Sequence, residues 1–459
     1  MRKPNIVLCL SDQLRAFEIG CYGNAHVRTP AMDRLAREGF RFEHAVTNYS
    51  VCMAARSVAL SGQYNRTCTG GVSNVAYPSR PGDVNMPEYP EAGRPHLKAP
   101  TLAEVLRDEG YATTVIGKWH IHSWPHDVGF QHYVIPRVHH CHSGQSFTED
   151  GGPEFVPQGY SVDYEAERVE GFIADRARRP EPFFLYYNIS PPHCPVADAP
   201  ERFRRMYDPG QVELRPNVNP SVPLERQDYW LKVYRYDFRH YALHLPYAEE
   251  LPSGYDIRAL TAEYQGLITW ADEALGRMLG ALDRSGLAED TIVLFTADHG
   301  DNLGSHGFVQ KGGPTEESIR IPWLIRWPGA IPVGATHDVV ASLVDVAPTL
   351  LDLGQMPVPA HMHGRSLGDS VTGRGDPPDP AYAIVETAAG ASIRTRSRMC
   401  FVPFVQRGRK LADQPTMLYD LDADPYQFRN LAGEEGTMDE ERRLASAVRE
   451  WDARTPWME

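Results

Sequence analysis

The sequence predicts an α/β fold: a large, mostly parallel central sheet between helices, followed by a smaller C-terminal antiparallel sheet with one helix. Two observations predict this fold class. Apolar runs of strand length alternate with segments of helical periodicity along most of the chain, which is typical of parallel strands covered on both faces. Beyond the stretch TGRGDPPDP the apolar pieces are short, which favours antiparallel pairing. We therefore predict a large domain over residues 1–370 and a small α+β subdomain over residues 371–459.

The first part of the large domain contains two strands and two helices. Thr29-Pro30 opens the first helix, because proline suits the first helical turn, and Gly110 ends the second one. The predicted elements are a strand at Asn5–Leu10, a helix at Ala31–Glu38, a helix at Thr101–Glu109 and a strand over YATTVIG.

The second part contains the longest helical pattern of the chain. Apolar residues recur at helical spacing from Asp256 to Ser285. The Pro- and Tyr-rich segment before it lacks clear periodicity, and we expect it to cap the domain. Strands are predicted over PFFLYYNIS, TIVLFTAD and Ile319–Trp327, a helix over Leu343–Leu353, and in the subdomain strands over AYAIVET, RMCFVPFV and MLYDL with a helix at Met438–Trp451.

Composition excludes several classes of protein. The chain has 459 residues, of which 42% are hydrophobic and 23% charged, so it is not disordered. A net charge of −14 offers no general attraction to nucleic acid or to an anionic membrane, and we expect neither as a partner.

The start of the sequence and its cysteines favour a cytoplasmic protein. The apolar run IVLCL is far shorter than the core of a signal peptide or a membrane span. The 7 cysteines are odd in number and form no CxxC pair, which suits free thiols in a reducing compartment.

Polar side chains follow four of the predicted strands. Open α/β sheets bind their ligands at the carboxyl ends of the strands, so we expect these side chains to converge. Carboxylate and amide oxygens are ligands for Ca²⁺ or Mg²⁺, and basic groups around such an ion would hold a tetrahedral anion. The candidates are Asp12, Gln13, Lys118, His120, His193, Asp298 and His299, with Arg56 and Lys311 as further basic groups.

Cys52 begins the stretch CMAAR, where a helix is expected to start. Backbone N–H groups and the helix dipole favour negative charge at such a position, which suits anionic chemistry. A buried cysteine packed as a small apolar side chain is the alternative, and the local sequence does not decide between them.

These motifs resemble the formylglycine-dependent (type I) sulfatases of the alkaline phosphatase superfamily. CMAAR resembles the family's maturation signature C-x-P/A-x-R, although positions 54 and 55 are alanines where proline and serine are commoner. The other similar segments, in chain order, are PNIVLCLSDQ, TPAMDRLAREG, GKWH, FTADHGDNLGSHG, RIPWLIRWPG, SLVDVAPTLLDLG and LYDLDADPYQFRNLA. Gln13 and His299 depart from the commonest metal ligands of the family.

The resemblance implies a sulfuric ester hydrolase in which residues 1–370 form the catalytic domain. It implies that a maturation enzyme oxidises Cys52 to formylglycine (3-oxoalanine), and that Ca²⁺, or alternatively Mn²⁺ or Mg²⁺, is the metal. It also implies roles for individual residues: metal ligation by Asp12, Gln13, Asp298, His299 and Cys52, anchoring of the aldehyde hydrate by Arg56 and Lys118, proton removal by His120, and leaving-group stabilisation by Lys311 with His193.

Three points stay open at this level. A phosphonate monoester or phosphodiester hydrolase could use the same scaffold, and so could a non-catalytic anion-binding relative. The expected substrate is a small-molecule sulfate ester, such as a sulfated sugar or an alkyl sulfate, and a homo-oligomer is common among such enzymes. The roles of the histidines near Cys141 and of the aromatic residues between Tyr229 and Tyr241 are undecided between packing and substrate contact.

Overall fold

The computed structural model describes residues 3–72, 97–137, 141–218, 224–236, 250–375, 381–405 and 409–458. These residues form two β-sheets. The large sheet with its helices is called the large α/β layer, and the small sheet with its terminal helix forms the second layer. The strands of the large sheet are β1 (Asn5–Asp12), β2 (Phe40–Val46), β3 (Ala112–Gly117), β4 (His132–Pro136), β5 (Phe147–Glu149), β6 (Phe183–Pro192), β7 (Thr291–Ala297), β8 (Arg320–Ile321), β9 (Trp323–Arg326) and β10 (Ala335–Ser342).

The large sheet is mostly parallel, as the sequence predicts. Its order is β10-β2-β9-β7-β1-β6-β3-β4-β5, with β8 paired to β2. The pairs on both sides of β1 are parallel, and so are β3 with β6 and β2 with β10, whereas β5, β8 and β9 run antiparallel to their neighbours. The carboxyl ends of β1, β3, β6 and β7 therefore lie side by side at one edge.

Helices cover the sheet, and the longest of them packs against its centre. They are α1 (Pro30–Glu38), α2 (Cys52–Ser61), α3 (Asn65–Cys68), α4 (Leu102–Asp108), α5 (Ser161–Arg176), α6 (Glu201–Arg204), α7 (Leu224–Arg235), α8 (Ile257–Arg284), α9 (Glu316–Ile319), α10 (Val346–Leu353), α11 (Gly368–Thr372) and α12 (Met438–Arg454). Helix α8 starts where the Asp256 carboxylate accepts hydrogen bonds from two backbone N–H groups, each at 3.0 Å. It contacts α1, α5 and β6.

The small sheet is antiparallel, again as predicted. Its strands are β11 (Tyr382–Thr387), β12 (Gly390–Thr395), β13 (Arg398–Pro403) and β14 (Met417–Asp420), paired in chain order. One face, which includes Cys400 and Leu418, packs against Leu444 and Trp451 of α12. No helix among the described residues is both long and apolar enough to span a membrane.

Some predicted elements are wrong in detail. The single strand expected over Ile319–Trp327 is divided into the end of α9, β8 and β9, and Pro322, which cannot donate a ladder hydrogen bond, separates the two strands. The segment expected only to cap the domain contains α7. Strand β12 was not predicted at all. The predicted boundary at residue 370 falls inside α11. The division of the chain into 1–370 and 371–459 stays a prediction.

Candidate functional site

Cys52 is the first residue of α2 and is buried at the carboxyl edge of the large sheet. Its Sγ lies 3.1 Å from Lys311 Nζ, 3.2 Å from His299 Nε2 and 3.6 Å from Asp12 Oδ1. Residues from α2, β1 and the loop after β7 thus meet at one sulfur atom. This cysteine is surrounded by polar groups, so the interpretation as an apolar packing residue does not describe it.

The surroundings favour negative charge at this sulfur. Burial and the carboxylate of Asp12 raise the pKa of Cys52, but Lys311, Lys118 and His299 more than offset them. The pKa therefore falls well below the ordinary value of a thiol. A site that stabilises a thiolate also stabilises any other anion formed on the same β-carbon.

Arg56 lies one helical turn after Cys52 and is fully buried. It bridges two carboxylates, with Nε 3.1 Å from Asp298 Oδ2 and Nη2 3.0 Å from Asp12 Oδ2. Its Nη1 donates to Asn188 Oδ1 at 2.7 Å and to the backbone oxygen of Lys118 at 3.0 Å. One planar side chain therefore joins the ends of β1, β3, β6 and β7 in fixed geometry.

Four donor groups fit a divalent cation. Ligand atoms of Asp12, Cys52, Asp298 and His299 all lie within 4.8 Å of one another. His299 Nδ1 lies 2.8 Å from the backbone oxygen of Gly300, which assigns the proton to Nδ1 and leaves the Nε2 lone pair for the centre of the group. Burial, and next the charge of Asp12, raise the pKa of Asp298 to about 6, and a cation between the carboxylates would relieve that repulsion.

Gln13 is held beside this group in an unusual backbone conformation, with φ of 65°. Its Oε1 accepts a hydrogen bond of 2.8 Å from Lys311, and its Nε2 donates to the buried carboxylate of Asp301. Asp301 also accepts from the hydroxyl of Tyr234 in α7 and from the backbone N–H of Leu303. The Gln13 amide is thereby oriented with its oxygen toward the site.

Asp301 and Tyr234 are therefore site residues that the sequence reasoning missed. The motif FTADHGDNLGSHG contains Asp301, three positions after Asp298, but the sequence predicts metal ligation only for Asp298 and His299 of this motif. Tyr234 belongs to the aromatic group of undecided role, and the structure assigns its ring to packing and its hydroxyl to Asp301.

Four further predicted residues surround the sulfur. Lys118 Nζ lies 2.5 Å from Asp12 Oδ2, and Lys311 Nζ lies 2.9 Å from His193 Nε2. His120 and His193 also come within hydrogen-bonding reach of Cys52. All the predicted site residues are thus brought together.

The charge states of these residues follow from their burial. Burial, as the largest effect, lowers the pKa of His120 to about 4 and that of His193 to about 3, so both rings are neutral at neutral pH. Burial opposes the charge of Lys311, yet Cys52 and Asp12 raise its pKa above the ordinary value. His193 Nδ1 lies 2.7 Å from the Cys194 backbone oxygen, which leaves Nε2 to accept from Lys311.

Of the histidines near Cys141, the structure describes His142. His142 is buried against Trp270 with ring centroids 5.3 Å apart, which is a packing role. His139 and His140 lie outside the described residues, as do Phe238 and Tyr241 of the aromatic group. All 7 cysteines are free, as the sequence predicts.

Comparison with known proteins identifies the family. The sulfatase family model matches residues 4–356, which is most of the chain and includes every residue of the site. The chain belongs to the sulfatase family. A second model, for the C-terminal part of N-sulphoglucosamine sulphohydrolase, matches residues 304–454. This sulfatase is 29% identical to the ulvan-active sulfatase of Formosa agariphila over 94% of this chain and 77% of that protein. It is a hydrolase of sulfate esters.

Solved structures show the same fold. A protein in complex with its substrate D-glucosamine-2-N,6-O-disulfate superimposes with a TM-score of 0.74 at 24% identity, covering 99% of this sulfatase and 98% of that chain. The phosphonate monoester hydrolase of Agrobacterium radiobacter gives a TM-score of 0.72 at 22% identity, covering 99% and 96%. At such identities the similarity concerns the fold alone.

Proposed function

We propose that this sulfatase cleaves the sulfate monoester of a small molecule or sugar, using an aldehyde made from Cys52 and a divalent cation held beside it. The observation that carries the proposal is the arrangement around Cys52 Sγ. Lys311 Nζ lies 3.1 Å and Asp12 Oδ1 3.6 Å from this sulfur. Ligand atoms of Asp298 and His299 lie within 4.8 Å of it. An oxyanion bound there would meet the ammonium group of Lys311 on one side and, on the side of the carboxylates, the cation that they would hold.

The proposed modification is the formylglycine (3-oxoalanine) form of Cys52. Conversion of CH₂–SH to CHO is a two-electron oxidation in which sulfur leaves as sulfide, and an external oxidant used by a maturation enzyme accepts the electrons. When hydrated, the aldehyde supplies one hydroxyl for attack on sulfur and a second that expels the product sulfate. Because Cys52 is buried, we expect the maturation enzyme to act before the chain has folded.

The proposed metal is Ca²⁺, with Mn²⁺ or Mg²⁺ as alternatives. Asp12, Asp298, the oxygen of Gln13 and the nitrogen of His299 would hold it, next to residue 52, and oxygen donors predominate in this set. A divalent ion there would polarise the sulfate oxygens and lower the pKa of the attacking hydroxyl.

The basic residues bind and orient the reacting groups. Arg56 is already bonded to Asp12 and Asp298, so we propose that it fixes the two carboxylates and the start of α2 in place. Lys118, 2.5 Å from Asp12, would neutralise charge that develops on the bound ester and the hydrate.

The neutral histidines are assigned to proton transfer. His120, whose pKa is about 4, would accept the proton from the second hydroxyl when sulfate departs. On the leaving-group side, Lys311 would donate to the departing oxygen, and His193 Nε2, 2.9 Å away, holds the ammonium group in position. Because His193 is neutral, it accepts this hydrogen bond without cancelling the positive charge of Lys311. That charge can therefore act on the substrate.

Parallel assays test the proposal. Protein whose aldehyde content has been measured by mass spectrometry of the peptide ending at Arg56 is supplied with Ca²⁺ and assayed with 4-nitrophenyl sulfate and with a phenylphosphonate ester. We expect kcat/KM for the sulfate to be at least about tenfold higher, because the sulfatase family model covers every residue of the site. The reverse ranking would make the protein a phosphonate hydrolase, and no turnover of either ester by fully modified protein would contradict the proposed roles of Cys52 and the cation.

Replacing Asp301 by Asn tests the proposed orientation of Gln13. An amide at position 301 can donate to Gln13 Oε1, so the Gln13 amide is expected to reverse and turn its NH₂ toward the cation. We expect the affinity for Ca²⁺ to fall about 10- to 100-fold, as is usual when a group supporting a metal ligand is altered. Titration calorimetry on metal-free protein measures this directly, without turnover.

The control is Asp290→Asn, the same chemical change at an exposed position before β7. Its Ca²⁺ affinity should equal that of the unaltered protein. If Asp301→Asn also binds Ca²⁺ normally, Asp301 does not orient a ligand.

A further inference from the structure

A cavity of about 330 Å³ lies beside the proposed catalytic residues, between the loop that follows β7 and the small sheet. Lys311 belongs to its wall, while the ammonium group of the same side chain lies 3.1 Å from Cys52 Sγ. The Lys311 side chain therefore lies between the cavity and the reacting group at residue 52. The cavity is on the side of the site where Lys311 is proposed to stabilise the leaving group. Its volume is that of a small ligand pocket.

The wall contributed by the small sheet is apolar. Met399 pairs with Tyr419 across β13 and β14, and Met417 lies two residues before Tyr419, so the three side chains share one face. The opposite face carries Cys400 and Leu418, which pack against α12. On the cavity-side face, Arg394 lies opposite Met399 and pairs with Glu316 of α9 at 2.9 Å. The part of this face that lines the cavity consists of two flexible thioethers and a ring.

The facing loop adds further apolar surface. Phe308 and Val309 contribute to the wall, and Phe308 is 54% exposed, which is unusual for a phenylalanine. An exposed ring at the mouth of a cavity marks a place where apolar surface can be covered by a ligand.

Several polar groups in the wall are already engaged within the protein. Thr315 donates to Asn302 Oδ1 at 2.6 Å, and the Asn302 amide donates to the Gln310 backbone oxygen at 2.9 Å. The side-chain oxygen of Gln427 accepts from the Glu316 backbone at 2.8 Å. A ligand rich in hydroxyl groups would leave several of them without partners in this cavity, which costs binding free energy.

We propose that this cavity binds the alcohol half of the substrate and that this half is apolar, so that the preferred substrates are aryl or alkyl sulfates rather than sulfated carbohydrates. The inference rests on the proposed function, since it assigns the leaving group to the Lys311 side of the site. It names Met399, Met417, Tyr419 and Phe308 as specificity-determining residues.

A matched pair of esters tests it. Cyclohexylmethyl sulfate and glucose 6-sulfate are both esters of a primary alcohol on a six-membered ring, and they differ mainly in hydroxyl groups. With aldehyde-containing, Ca²⁺-loaded enzyme we expect kcat/KM to favour the cyclohexylmethyl ester at least about tenfold. Met417→Gln keeps the side-chain length but adds a polar amide, and it should lower kcat/KM for this ester about threefold to tenfold while leaving that for glucose 6-sulfate unchanged.

Met438→Gln is the matched control, since Met438 is 51% exposed at the start of α12 and does not belong to the cavity wall. It should behave as the unaltered enzyme with both esters. Equal kcat/KM for the two esters, preference for the sugar ester, or equal losses for both in Met417→Gln would overturn the inference while leaving the sulfatase mechanism in place.

Binding of 2-naphthol, measured by titration calorimetry, separates the cavity from catalysis. We expect the unaltered enzyme to bind 2-naphthol. Met417→Gln should raise the Kd for 2-naphthol at least threefold, by about the factor by which it lowers kcat/KM for the cyclohexylmethyl ester. If neither ester is turned over but 2-naphthol binds in this way, the cavity assignment stands and the proposed function fails. Absence of 2-naphthol binding overturns the assignment.

Discussion

Cys52→Ala is expected to abolish turnover of 4-nitrophenyl sulfate, with kcat falling by at least about 10⁴-fold, because alanine cannot be converted to the aldehyde whose hydrate is the proposed nucleophile. The fold should survive, because alanine suits a helix and the sulfur that is lost contacts polar atoms of Lys311, His299 and Asp12. The measurements are steady-state kinetics, circular dichroism and Ca²⁺ binding by calorimetry.

The control is Cys400→Ala, which removes an equally buried thiol from the small sheet. Its turnover should remain within a few-fold of the original at temperatures where it is folded. Retained turnover in Cys52→Ala would refute the assignment of the nucleophile, whereas loss of Ca²⁺ binding and helicity together would show that the substitution had damaged the fold instead.

Much of the catalytic arrangement could be predicted because parallel strands place the residues at their carboxyl ends along one edge of the sheet. Asp12 is the last residue of its strand, and Lys118, His193 and Asp298 each follow one. These strands lie side by side with their carboxyl ends at one edge. Hydrophobic runs are enough to find such strands. Convergence of these four positions then follows without knowledge of any side-chain contact.

The residues that support the site could not be predicted in this way. Asp301 acts through Gln13 and Tyr234, and Tyr234 comes from α7, in a segment whose apolar spacing was too irregular to indicate a helix. Contacts between side chains of distant segments depend on the loop path, which hydrophobic periodicity does not encode. The division of the strand at Pro322 had a local signal, because a proline inside a strand pattern indicates an interruption.

The junction between the two sheets also depends on a contact between side chains that are distant in the sequence. Arg66 of α3 is fully buried, and its Nε lies 2.7 Å from Glu386 Oε1 in β11. Its guanidinium carbon lies 3.9 Å from the ring centroid of Trp451 and 4.7 Å from that of Trp457, and Asp452 pairs with the same group. One cation thus connects the large α/β layer to the small sheet and its terminal helix.

Arg66→Ala is expected to lower the free energy of unfolding by about 3–5 kcal/mol, because it leaves the buried carboxylate of Glu386 without its cation. Urea denaturation followed by fluorescence of the stacked tryptophans measures the change. Arg442→Ala, which removes an exposed pair with Asp439 on α12, is the matched control and should cost no more than about 0.5 kcal/mol. Adding Glu386→Gln to Arg66→Ala should recover part of the loss, since the amide carries no charge to be compensated. A loss for Arg66→Ala no larger than that of the control would mean that the Arg66–Glu386 pair does not hold the two layers together and that other contacts between them do, such as that of Arg394 with Glu316.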